Sequence, residues 1–568
     1  MPKTIGRLLL QIVPTAIGFL VGGPLGAAIA AVGASYLSKA LFGQRMPKPS
    51  DGQQTTREAI GSRRRHYGIV HTSGQLTFFD SADGTLGQVV TLGTGLEHEI
   101  LEHRINDNVV TVAAGTVTEE RYKGAIHIYT RSGDADQTAI GELTASFPAW
   151  TSDHRQRGCA HAAIICDPVD QEDFSEVFAG QIPQYSQVRK GAAPYDPRKD
   201  STAVIFDDGE GFTVNGTGPQ RVDDPATWLW SDNWALVTAD YFAHADGFGG
   251  GYENVNWTNI ATEADICDQQ VATRDGSQID RWRAWASYTL ARDERRTVLG
   301  NFLKAADGFC WQDASGKFNL LAGRYLAPTV TITDDHILGM TATKGPSSDR
   351  RVSAAKVAYT EASIGYREQE SATIDNPDVP DDPHSDPQLF DIYFAPHHNQ
   401  AARLGKIIVY QLGDRWYLDA LLNLYGLNLL GQRFCRLESA QLGISIDCKI
   451  EGAPKLDLAR MQVRVQLAEI EEEDWNFDAA TEEGVPPGSA TTGGGDRTIA
   501  VPTGLALSAV ALSFGDANGV AISATWDDPG RKGLTYEAQL RETPAGEWVT
   551  MVVDDATFSA RSGPVNSG

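Results

Sequence analysis

The chain has 568 residues, 41% of them hydrophobic and 21% charged, which is too long for one core and too apolar to be largely disordered. Its net charge of −26 is uneven: residues 1–66 hold nine Lys/Arg against Asp51 and Glu58, a net +7, which leaves −33 for the rest. So acidic a body speaks against specific nucleic-acid binding, because phosphate contacts need Lys and Arg. Six scattered cysteines (159, 166, 267, 310, 435, 448) without a CxxC pair exclude a zinc ribbon, a thioredoxin-type site and a disulfide framework. They read as buried and reduced, as suits folding in a reducing compartment.

The first element is apolar. Between Arg7 and Lys39 lie 31 uncharged residues, more than the roughly 20 that span a bilayer. Pro14, Pro24 and glycines 18, 22, 23, 26 and 33 make a single helix poor. The small residues from Gly26 to Ala34 favour close helix packing. A cleaved signal peptide, a membrane anchor and an apolar plug inside an oligomer compete here, and only the family resemblance of the later segments favours the plug.

From Gly61 the pattern is β. Tyr67, Ile69 and His71 alternate with Gly68, Val70 and Thr72. Strands follow at Leu76–Phe79 and Val89–Leu92, with turns at Ser73-Gly74 and Ser81-Ala82-Asp83-Gly84. Ile105–Val110 reads as a short hairpin. After Tyr195-Asp196-Pro197-Arg198 the pattern becomes mixed. A helix is predicted to start at Asp224 and to run on through Ala235–Tyr241; a second carries Ile260, Ala264, Cys267 and Val271. A strand spans Arg281–Leu290, and a helix started by Asp293 buries Val298, Leu299, Phe302 and Leu303. Phe309–Gln312 and Lys317–Ala322 form a hairpin.

Residues 375–387, with five Asp and four Pro, read as an extended loop. Ala401, Leu404, Ile407 and Ile408 mark a helix. Strands are expected at Trp416–Leu422, Ile444–Ile450 and Met461–Leu467, and 484–497 is a linker.

Several spacings resemble sites and fail. His98-Glu99 with His103 lacks the i, i+4 histidines of a zinc protease. His397-His398 reads as a surface pair before a helix. Gly247–Gly251 lacks a dinucleotide fingerprint, and neither a Gly-x-Ser-x-Gly elbow nor a phosphate loop occurs. The expected site list is therefore empty: no catalytic, cofactor-binding or metal residue, and no enzyme.

One ordered series carries more. Gly61-Ser62-Arg63-Arg64-Arg65-His66-Tyr67-Gly68, Gly74–Phe79, Leu96-Glu97-His98-Glu99-Ile100, Phe147-Pro148-Ala149-Trp150, Gln181-Ile182-Pro183 and Tyr195-Asp196-Pro197-Arg198 follow one another. In that order they resemble the tail-tip hubs of long-tailed phages, the tip attachment protein J family with its gene transfer agent relatives. The helix–strand–helix–hairpin series ending at Gly323-Arg324-Tyr325 also resembles that family. At the other end, Pro502–Leu505, Ala524-Thr525-Trp526 and Tyr536 resemble a fibronectin type III domain. Trp526 then takes the place of its strand-B tryptophan and Tyr536 of its strand-C tyrosine. A full sandwich needs about 100 residues. From Pro502 only 67 residues remain, so either the sequence is a fragment, which is favoured, or another chain completes the domain.

The resemblance implies a predominantly β, multidomain α+β chain with barrel-like hub modules around a mixed αβ domain. The expected divisions are an apolar arm (1–60), a β-rich hub domain (61–205), a mixed αβ domain (206–335), a second β-rich domain with one helix (336–480), a linker (481–500) and a partial fibronectin domain (501–568). It implies a siphovirus-type structural virion protein, a baseplate hub that is assembled in the host cytoplasm and closes the tail tube. It would be a homotrimer meeting distal tail and tail tube proteins and the central fibre, acting in host attachment and genome ejection. The host membrane is a partner if the first 42 residues insert. The rival readings are a tail-associated cell-wall hydrolase and a membrane-inserting tail protein.

Overall fold

The computed structural model describes residues 48–57, 61–206, 213–345, 352–379, 387–486, 502–514, 517–527, 536–541, 546–554 and 557–565. The apolar segment Leu8–Ser38, most of the linker and the centre of the Asp/Pro-rich loop lie outside them. The chain divides into two compact units, 1–488 and 489–568.

In the larger unit, β1 (Arg64–Tyr67) and β2 (Ile69–Thr72) were expected as one alternating strand. They are broken at Gly68, whose φ of +66° turns the chain. A Cβ there would lie 2.3 Å from the Trp285 ring and 2.6 Å from the Ala284 carbonyl oxygen, so glycine is required twice over. β3 (Gln75–Ala82) and β4 (Thr85–Thr94) join through Asp83-Gly84, and β5 (Glu99–Ile105) and β6 (Asn108–Val110) through Asn106-Asp107. All four turn residues have positive φ, as two-residue hairpins on twisted strands demand.

After β7 (Val112–Ala113) and β8 (Thr116–Val117) come β9 (Ile126–Ser132), α1 (Gly141–Ser146), β10 (Cys159–Cys166), α2 (Phe174–Phe178) and β11 (Tyr185–Lys190). They make two open sheets, in orders β3-β4-β10-β9-β8-β7 and β2-β11-β5-β6. β10 is covered on both faces. Ala162 and Ile164 join a cluster with Ile105 and Tyr185, while Ala163 and Ile165 face α1 and Phe147. That is why Ala162–Cys166 is an unbroken apolar run rather than an alternating one.

In the middle of the unit β12 (Val204–Phe206) and β13 (Thr213–Asn215) form a ribbon, followed by the helices α3 (Trp234–Ala243) and α4 (Trp257–Asp268). The helix expected from Asp224 is not continuous with α3. Asp224 caps only the 3-10 turn Pro225–Thr227, and Asn233 starts α3 by accepting from Ala235 N (3.0 Å). Every residue of α3 is buried, as in a helix inside a core. α4 ends at Asp268, and Val271 belongs instead to β14 (Gln270–Ala272), paired with β15 (Gln278–Asp280).

The strand expected over Arg281–Leu290 is confined to β16 (Ala286–Thr289). Before it the backbone bonds elsewhere: Ala284 N donates to Asp232 O (3.0 Å) and Trp285 N to Phe394 O (3.0 Å). α5 (Arg295–Ala305) buries Val298, Leu299, Phe302 and Leu303, and β17 (Phe309–Gln312) pairs with β18 (Phe318–Leu321), both as expected.

β19 (Thr331–Thr333) and β20 (Ile337–Lys344) open the last part of the unit. β21 (Ala354–Glu361), β22 (Arg367–Glu370), β23 (Ile374–Asp375) and β24 (Gln388–Asp391) form a small sheet beside α6 (His398–Gln411). Val357 and Leu404 share one apolar cluster with α3 to α5. The closing sheet is built from β19 and β20 with β25 (Trp416–Leu422), β26 (Phe434–Ser439), β27 (Ile444–Ile450), β28 (Lys455–Asp457) and β29 (Gln462–Ile470). Its order is β19-β26-β27-β29-β25-β20, with β28 added on β29. Met461 was expected as the first strand residue. It has φ +55° and is 54% exposed, so it is a turn residue, while Val463, Val465 and Leu467 alternate inward. α7 (Ala479–Glu482) follows.

In the smaller unit β30 (Ala506–Phe514), β31 (Ala517–Thr525), β34 (Val552–Asp554) and β35 (Ser559–Arg561) form a sheet in order β30-β31-β35-β34. β32 (Gln539–Leu540) pairs with β33 (Val549–Thr550). Trp526 packs beside Ala524, Met551 and Ala560, and its ring centre lies 5.1 Å from that of the tilted Tyr536 ring. The chain is predominantly β and multidomain, and among the described residues each sheet is open.

Candidate functional site: a buried polar junction under the sequence signature

Two members of the ordered series, the segment Gly61–Gly68 and Tyr195–Arg198, make contacts between the first β module and the central helices. β1 leaves its own module to pair antiparallel with β16, Arg64 opposite Thr289 and Tyr67 opposite Ala286. This places Arg65 and Tyr67 against α3. Tyr67 OH donates to Asp240 Oδ2 (2.6 Å), Arg65 Nη2 reaches the same oxygen (3.3 Å), and Tyr252 OH donates to Oδ1 (2.6 Å). Arg65, Tyr67 and Asp240 are buried. Burial works against the Arg65 charge, but Tyr67 and Asp240 hold the guanidinium well above its ordinary value. Burial raises the Tyr67 phenol, which therefore stays a donor.

The opposite side of β1 holds a second set. Nε2 of His66 lies 3.1 Å from Leu92 O and 3.9 Å from Glu97 Oε1, and Glu97 forms an ion pair with Arg189 on β11. Burial lowers His66 and keeps it neutral, with Glu97 pulling the other way. From Arg189 a chain of bonds runs along β11: Arg189 Nη1 to Gln187 Oε1 (3.1 Å), Gln187 Nε2 to Tyr185 OH (2.7 Å), and Tyr185 OH with His103 Nδ1 (2.6 Å).

The remaining segments are packing and capping devices. Phe147 and Trp150 set their edges against Phe78, ring centres 5.9 and 5.1 Å apart. Gln88 Nε2 donates to Pro183 O (2.9 Å). Asp196 caps the 3-10 turn Pro197–Lys199 and grips Arg198 through both oxygens. Arg198 then reaches Asp265 (2.6 Å) and Asp268 (2.9 Å) on α4, a second clamp between module and helices. Tyr195 packs edge-on to Trp257, 4.8 Å away.

The side chains of His98-Glu99 and His103 do not converge. Glu99 pairs with Lys190 (2.7 Å), whereas His103 binds Tyr185. The reading of His397-His398 as a surface pair is corrected: His397 lies 5.7 Å from Trp285, and His398 Nδ1 lies 3.5 Å from Glu483. Burial lowers both. Sequence reasoning also passed over Asp240 and Arg189. A lone acid inside the apolar run Trp234–Ala243 was the available signal for Asp240. Two further buried ties went unread, Glu263 with Arg324 and Asp307 with Arg433, because each joins distant segments.

A cleft of about 390 Å³ opens beside β1, bounded by Arg63, Arg64, Arg292, Thr77, Gln156 and Cys159. Among the described residues no three His, Cys, Asp or Glu side chains come together as a metal set, and no helix is long and apolar enough to cross a membrane. The junction is chemically quiet: its acids and bases are paired, shielded from solvent and aimed at one another. It can hold two bodies in fixed orientation.

No family model and no curated protein sequence matches the chain. A solved structure does. One chain of the virion of a native gene transfer agent particle aligns at 14% identity and TM-score 0.53 over 82% of this chain and 98% of its own length. The two share a fold. A tail protein from Neisseria meningitidis MC58 and the 43 kDa tail protein of prophage MuSo2 from Shewanella oneidensis also align. They do so at 11% and 10% identity, over 73% and 72% of this chain and 98% and 100% of theirs. Their TM-scores of 0.24 and 0.23 are too low to say anything about architecture.

Proposed function

We propose that this protein is a structural component of a phage-type virion, the hub that closes the tail tube at its tip. The observation that carries the reading is the shared fold with a virion chain along nearly all of that chain's length. The buried junction supports it, because a hub needs rigidly joined modules more than an accessible reactive centre. In this reading three copies surround the tail axis, and the β-rich modules on either side of the central helices present six related faces to a six-fold tube. The acidic body lines part of the lumen, where like charge keeps DNA from adhering. The apolar segment Leu8–Ser38 is the plug, and the smaller unit leads into the central fibre.

Particles carrying a tag after Gly568 test the assignment by gold labelling and by cryo-EM of the tip. Label at one end of the tail and three copies per particle are expected. Label on the capsid, six copies, or particles without the protein would overturn it.

A further inference from the structure

Outside the junction, the closing sheet holds two thiols in a specific relation. Cys435 on β26 and Cys448 on β27 are direct cross-strand partners, both fully buried, both free, and members of one apolar cluster. Residues opposite each other in an antiparallel pair point to the same face of the sheet. The bond from Ile450 N to Arg433 O (2.9 Å) sets the phase of the ladder. Arg433–Ile450 is a hydrogen-bonded pair, so Cys435–Cys448, two residues along, is one as well. Such pairs hold their Cα atoms about 5.5 Å apart, inside the roughly 4.4–6.8 Å that a disulfide spans. Cys159 and Cys166, by contrast, stand at opposite ends of β10, and Cys267 and Cys310 lie on a helix and a separate hairpin.

We propose that Cys435 and Cys448 form a latent cross-link site, closed by a small peroxide once the protein has left a reducing compartment. One sulfur attacks a peroxide oxygen, giving a sulfenic acid and one water. The second sulfur displaces the hydroxyl from the first, forming the S–S bond and a second water. In sum two thiols give up two protons and two electrons, and one hydrogen peroxide becomes two waters. Burial pushes the Cys435 thiol up to about 12 and holds Cys448 well above its ordinary value, so reactive thiolate is scarce at neutral pH. The pair therefore stays reduced during folding and closes slowly afterwards. The bond ties the open end of the β26–β27 hairpin, fixing two inner strands of the closing sheet.

Full-length protein treated with hydrogen peroxide, then denatured, alkylated and digested, tests this by peptide mass spectrometry. The peptides bearing Cys435 and Cys448 should appear joined and lighter by two hydrogens. The thermal midpoint should rise by about 2–6 °C and fall back with dithiothreitol. Cys435→Ala should remove both effects; if that variant does not fold, the peptide result on the unaltered chain decides. Both cysteines alkylated as free thiols while Cys159 has oxidised would overturn the proposal. So would sulfonic acid at either position without a link, or a link from either to another cysteine.

Discussion

The first β module at its junction and the closing sheet in its interior are held by different chemistry. The first is joined to the central helices by buried ions and phenols: Arg65, Tyr67 and Asp240 on one side of β1, His66, Glu97 and Arg189 on the other. The closing sheet is filled by an alternating apolar set such as Leu418, Leu437, Val463 and Leu467. A buried ion fixes partner, distance and direction at once, and leaving one partner alone is costly. An apolar interior fixes volume and accepts substitutes of similar size. The two regions should therefore respond oppositely to gentle changes.

The hardest test is Asp240→Asn, which keeps shape and removes charge. It should lower unfolding free energy by about 3–5 kcal/mol, since Arg65 then lies buried without a counter-ion; urea denaturation reads this directly. Gly68→Ala should cost about 2–4 kcal/mol from positive φ and collision with Trp285. A loss below 1 kcal/mol would mean that β1 and β2 need no break.

Acidification separates the regions further. His66, His71, His103 and His161 of the first module are all lowered by burial. Their unfolded forms take up protons first, so their contribution is present above about pH 6.5 and is lost as pH falls below it. Asp474, in the turn that follows β29, is pushed up to about 6, mainly by burial, and Glu451 is raised for the same reason. Folded Asp474 holds its proton where the unfolded form has lost it, so its contribution grows as pH falls from about 6 towards 4, by about 2–3 kcal/mol. Hydrogen exchange at pH 7 and pH 5, corrected for intrinsic rates, should show β10 and β11 losing protection while β27 and β29 keep or gain it. Parallel changes in both would break the contrast. The smallest effect is expected from Leu437→Met, under about 1.5 kcal/mol by thermal melting.

What the sequence revealed follows the same division. The hairpins at Asn106-Asp107 and Asp313–Gly316 and the buried face of α5 were legible, because turn chemistry and helical spacing are local. Part of the ordered series is buried polar and aromatic positions, among them Arg65, His66, Tyr67, Glu97, Phe147, Trp150, Tyr195 and Asp196, while Phe79, Leu96 and Ile182 are exposed. The purpose of those positions was not legible. Asp240 receives Tyr67 from 173 residues away, and no local pattern announces that. The false continuities, one strand through Gly68 and another across Arg281–Leu290, fail for a related reason. Periodicity reports a face, whereas Trp285 N bonds to Phe394 O and the chain turns to follow it.

The pairing of β1 with β16 also sets a timetable. Arg65 has no cross-strand partner until Tyr288 has left the ribosome, and Ser50 waits longer still for Glu368. At roughly 5–20 residues per second the first wait lasts on the order of ten seconds or more. Throughout that interval β1 is an unsatisfied strand on a growing chain, open to the wrong neighbour. The step most exposed to chaperones, and to misassembly among nascent copies, is then the docking of the earliest-made strand onto the middle of the protein.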